Sequence, residues 1–82
     1  MKSVRELWSY TLQELRLMTT AWTWEMIFCQ CIPLPPDGDV FVIGTRSPYA
    51  HAWIEFRFHR LPEDVMTYVV GRPVQVKCVL LG

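Results

Sequence analysis

Cys29-Gln30-Cys31, Cys78, His51 and His59 are the residues of this chain that could ligate a metal or supply a nucleophile. Their arrangement argues against both roles. The Cys-x-Cys spacing with these histidines matches no common zinc pattern, and alternate strand positions share a face for packing reasons as readily as for ligation. A thiolate–imidazole pair is equally unconstrained, because a cysteine in apolar surroundings is ordinarily inert. His51, Glu55 and His59 fall on the polar side of the segment that follows Pro48, where solvated surface is the plain reading. No glycine-rich phosphate loop exists: Gly38, Gly44, Gly71 and Gly82 are scattered as turn and cap residues. The expectation is a non-enzymatic protein with no catalytic residue, metal, cofactor or small-molecule substrate.

Size and composition set the class. Eighty-two residues suffice for one domain, 1–82, with a single core. A hydrophobic fraction of 51% with four Trp makes disorder untenable. Eight Lys/Arg balance eight Asp/Glu, which is not the signature of a dedicated nucleic-acid binder. The three cysteines are odd in number and too few for a disulfide framework, so a reducing cytoplasm is the expected location. Arg5, Glu6, Glu14 and Arg16 interrupt the first segment, which therefore does not resemble a signal peptide. The apolar runs are far too short for a membrane span.

The elements follow from caps and periodicity. Ser3-Val4-Arg5-Glu6 fits the capping box of a helix over 3–18, with Val4, Leu7, Trp8, Thr11, Leu12, Leu15 and Met18 in one apolar stripe. Leu12, Leu15 and Met18 are its expected core. Trp8, near the free end of the helix, is expected to be poorly covered. Thr19-Thr20 offers the next N-cap, and 21–28 reads as a short helix with Trp24, Ile27 and Phe28 on one face and Trp22 and Met26 on another. Residues 29–34 read as an edge strand because of Pro33, and 40–44 as its hairpin partner across an Asp-Gly turn. Ser47-Pro48 opens a long third helix reaching to about residue 60. Leu61-Pro62 breaks it, a short helix runs to a left-handed stop at Gly71, and 74–81 alternates as a final strand. The expected class is α+β, in the order α-α-β-β-α-α-β, with a three-stranded sheet packed against helices.

The third helix carries more grease than one core uses. Tyr49, Ala52, Trp53 and Phe56 form one apolar face, and Ala50, Ile54 and Phe58 lie nearly opposite. A helix apolar on two sides must be covered twice, within its own domain or by a partner. A single-strand nucleic-acid module is the alternative, since small domains with this strand content include the KH family. That family's Gly-x-x-Gly loop is absent, so such binding would rest on Arg57, Arg60 and the aromatics and be weak and salt-dependent.

Several strings, in order, resemble the N-terminal domain (domain I) of the bacterial replication initiator DnaA. They are Leu7-Trp8 with Leu12 and Leu15 in register, Thr23-Trp24-Glu25, Ser47-Pro48-Tyr49 with Trp53, and Val70-Gly71-Arg72-Pro73-Val74-Gln75-Val76. They run collinearly from about residue 7 to residue 80. The resemblance implies a KH-like fold serving as a protein-docking platform in replication initiation. It implies weak homodimerisation through Leu7, Trp8 and Thr11, and recruitment of the replicative helicase or initiator regulators through a surface including Thr23, Glu25 and Tyr49. This chain departs from the pattern in four places. Ser47 stands where many members have Asn, and Ile27 where many have Trp. Thr23 stands where some carry a helicase-contacting carboxylate, and Trp22 where a small residue is common. The ATPase and duplex-binding domains of a full initiator are absent from these residues, which fit either one domain of an initiator or a stand-alone relative modulating initiator assembly.

Overall fold

In the computed structural model, which describes residues 2–82, the chain is α+β. The order is α1 (Val4–Met18), α2 (Ala21–Met26), a 3-10 turn (Phe28–Gln30), β1 (Cys31–Asp37), β2 (Val40–Thr45), α3 (Pro48–Phe56), α4 (Leu61–Val70) and β3 (Gln75–Leu80). The expected sequence of helices and strands is therefore present.

Local chemistry sets most boundaries. At α1 the capping box forms: the Glu6 amide donates to Ser3 Oγ at 3.2 Å, and the Ser3 amide donates to Glu6 Oε1 at 3.3 Å. Thr20 Oγ1 accepts from the Thr23 amide at 3.1 Å and caps α2, while Ser47 Oγ accepts from the Ala50 amide at 3.1 Å and caps α3. Gly71 closes α4 at φ +88°, a left-handed conformation that side chains with a Cβ resist. Two elements are shorter than expected. α2 tightens into the 3-10 turn after Met26, and α3 stops at Phe56, four residues before the expected end. There the amides of Arg57 and Phe58 both reach the Trp53 carbonyl at 2.9 Å, so the ladder closes on itself. Pro62 then occupies the first turn of a separate α4.

The sheet runs β1-β2-β3, with β1 antiparallel to β2 and β2 parallel to β3. The hairpin turns at Gly38, whose φ is +61°. Joining β2 to a parallel β3 needs a crossover, and α3 and α4 supply it. Inward-facing Cys31, Phe41, Ile43 and Cys78 meet Leu15, Phe28, Ile54 and Met66 from the helices in one buried core. Glu63 on α4 accepts the Val76 amide of β3 at 3.4 Å, partly sealing an edge strand.

The α1 stripe needs correction at both ends. Trp8 is buried, and its Nε1 donates to the Cys31 carbonyl at 3.3 Å. Thr11 is fully buried, its hydroxyl donating to the Leu7 carbonyl at 2.8 Å and facing Met66 Sδ at 3.4 Å. Met18, expected inside, is 59% exposed, because α4 packs alongside α1 without covering its last turn. Leu15 lies in the core as expected, with Leu12 packed partly buried against it.

Candidate functional site

α3 presents its two apolar faces to different surroundings. Ala50 and Ile54 point into the core. The opposite stripe is left open, with Tyr49 45% and Phe56 87% exposed, Ala52 exposed and Trp53 half-buried. Periodicity alone gives both stripes equal standing; the sheet selects the one that carries Ala50 and Ile54.

α2 extends this open face. Trp22 is 53% exposed and meets Tyr49 edge-on, ring centroids 6.0 Å apart at 86°. Tyr49 lies 6.0 Å from Trp53, Trp53 stacks on Phe58 at 5.8 Å, and Phe58 tilts against core Phe28 at 5.8 Å. Five aromatic rings thus run unbroken from the surface at α2 to the interior. Pairs in these geometries add about 0.5–1.5 kcal/mol each beyond area burial, so the outer rings are held in place before any partner arrives. Beside them Ala52, Trp53, Phe56 and Arg57 border a shallow hollow of about 350 Å³. The Arg57 guanidinium sits over the Trp53 ring, 5.5 Å from its centroid.

The expected partner-binding residues divide. Tyr49 is exposed and at the centre of this face. Glu25 is exposed on α2, its carbonyl accepting from Gln30 Nε2 at 3.1 Å. Thr23 is half-buried, and its hydroxyl accepts from Thr20 Oγ1 at 2.9 Å, so it serves the α2 cap first. Arg57 and Arg60, the expected nucleic-acid contacts, are both exposed, Arg57 at the hollow and Arg60 at the start of α4. The expected self-association set does not form a surface. Trp8 and Thr11 face inward, and Leu7 is half-buried against the core. Sequence reasoning missed Phe56 as the most exposed ring, although its membership of the second stripe was visible.

Of the residues that could have done chemistry, only Cys31 and Cys78 come together, inside the core. Cys29 is exposed, whereas Cys31 and Cys78 are buried. Among the described residues, no three His, Cys, Asp or Glu side chains group closely enough to hold a metal ion. The Cys31 thiol is pushed far up by its hydrogen bond with Cys78 and then by burial. The Cys29 thiol is raised by burial and then by the Glu25 carboxylate. His51 Nε2 lies 3.6 Å from Glu55 Oε1 across one helical turn, a solvent-facing pair. No helix among the described residues is long and apolar enough to cross a membrane. No protein-family model matches the chain.

Proposed function

We propose that this chain is a non-enzymatic protein-docking domain of replication initiation, of the DnaA domain-I type, gripping a replicative helicase or an initiator regulator in the cytoplasm. The observation that carries the docking role is the open aromatic face of α2 and α3: Trp22 and Tyr49 are exposed and packed on each other, Phe56 stands in water beside them, and α3 already fills the core with its opposite face through Ala50 and Ile54. Rigid aromatic anchors of this kind dominate protein interfaces because they bury large area at little entropic cost. The replication context comes from the resemblance of the ordered strings. Trp22, standing where members of the family that these strings resemble often have a small residue, enlarges the same face.

The test is binding of purified replicative helicase and initiator protein to the wild-type chain and to Tyr49→Ala and Phe56→Ala. Each truncation should cost about 2 kcal/mol of affinity, roughly thirtyfold. Binding to neither protein, or binding indifferent to both substitutions, rejects the reading. The arrangement of Arg57 over Trp53 next to Phe56 favours a second reading, in which single-stranded nucleic acid stacks there. Oligonucleotide binding that survives physiological salt and falls with Arg57→Ala and Arg60→Ala would favour it over protein docking.

A further inference from the structure

A second apolar surface lies away from the aromatic face, in the groove between α1 and α4. Glu14, Met18, Asp64, Val65 and Tyr68 enclose a hollow of about 290 Å³ there. Tyr68 is 77% exposed, Met18 59%, and Leu17, on the next turn face beyond Glu14, 82%. Single exposed apolar residues are ordinary. Two large ones, Met18 and Tyr68, on two helices that pack together and border one hollow floored by Val65, with Leu17 exposed beside Met18 on α1, make a patch of the kind that marks an interface.

The charges say what covers it. The two acidic side chains of the hollow, Glu14 and Asp64, are carboxylates, and no Lys or Arg lines it. The salt bridges among the described residues are His51–Glu55 and Arg72–Asp39, so neither Glu14 nor Asp64 has a basic partner. Such a rim repels phosphate, which disfavours nucleic acid and anionic lipid surfaces, and attracts ammonium and guanidinium groups. A Lys or Arg stem lying over the open Tyr68 ring would add a cation–π contact. α4 spans ten residues, about 15 Å, enough for two to three turns of a third helix laid beside the pair.

We infer that the α1–α4 groove is a second docking site, and that its occupant is a basic amphipathic helix of a partner protein. Apolar side chains at helical spacing fill the space between Met18, Val65 and Tyr68. Lys or Arg residues on the flanks of that helix meet Glu14 and Asp64. This site is independent of the aromatic face, and one copy of the domain could hold two partners at once.

The test uses the isotopically labelled full chain and two synthetic sixteen-residue amphipathic peptides, one with Leu on one face and Lys on the other, one with Glu replacing every Lys. The Lys peptide should shift the amides of Glu14, Met18, Asp64 and Tyr68 and bind more weakly as salt rises, while the Glu peptide should leave them unmoved. The isosteric double variant E14Q/D64N should weaken the Lys peptide about tenfold. Tyr68→Ser, at a solvent-facing position that the fold does not use, should weaken it as well, and Phe56→Ala should leave it unchanged. Equal binding of the two peptides, indifference to both E14Q/D64N and Tyr68→Ser, or shifts confined to Trp22, Tyr49 and Phe56 would overturn the inference. The last outcome would still leave the aromatic face standing as a docking site.

Discussion

Trp8 shows how much a single side chain depends on its distant neighbours. Its place near the end of α1 suggested an indole with little to cover it. In the fold, the start of β1 comes to it, and the Cys31 carbonyl, 23 residues away, takes its N–H. Nothing local in the sequence announces that partner, which is why Trp8 was expected at a surface. Trp8→Ala should cost about 3–5 kcal/mol, read as a fall in the urea midpoint, since it opens a large cavity and orphans a buried carbonyl. An interface role would instead leave monomer stability nearly intact. Phe56→Ala should change stability by less than about 0.5 kcal/mol, because its ring is already in water. The cysteines make a second contrast. Cys29 should be alkylated in the folded chain, more slowly near pH 8 than a free thiol because its raised pKa leaves less thiolate. Cys31 and Cys78 should react only on unfolding, as followed by mass spectrometry in increasing urea.

Helices and strands were largely legible from caps and breakers. Ser3 with Glu6, Thr20, Ser47-Pro48 and Gly71 each sit at a real helix end, and each acts through a hydrogen bond or dihedral spanning only a few residues. Ser47→Ala should therefore destabilise by about 1 kcal/mol. Gly71→Ala should cost about 1–2 kcal/mol, because the left-handed backbone stays fixed by the following strand. Thermal melts would check both. The end of α3 was not legible. Arg57-Phe58-His59-Arg60 has no breaker until Pro62, and the helix stops because Phe58 turns inward to stack on Trp53 and meet Phe28. Which α3 face is inside was equally invisible. Both stripes have the right period, and only the position of the sheet, formed from residues before and after the helix, decides between Ile54 and Phe56.

For the molecule as a whole, the class and element order were readable, while the strand order and the parallel β2–β3 ladder came from tertiary structure. The apolar surplus expected on the third helix is real and is shared by other helices. The core took Trp8, Ile54 and Phe28, leaving one open face on α2 and α3 and another between α1 and α4. The candidate site was thus half-legible: Tyr49 was found, and Phe56 was assigned to a stripe without its exposure. β2 is paired on both sides and buried or half-buried throughout, so its amides should exchange with solvent deuterium more slowly than those of the β1 edge. Comparable protection across all three strands would contradict this sheet order.

The row of rings from Trp22 to Phe28 also makes the domain an optical instrument. Trp8 is buried and donates its indole N–H to the Cys31 carbonyl, and half-buried Trp24 donates to the Leu12 carbonyl, whereas Trp22 faces solvent and half-buried Trp53 lies behind Tyr49. Emission from the outer pair should be quenched by iodide and shift to the blue when a molecule settles over Tyr49, with no label attached. Emission from Trp8, the one buried indole of the four, should respond only when the protein comes apart.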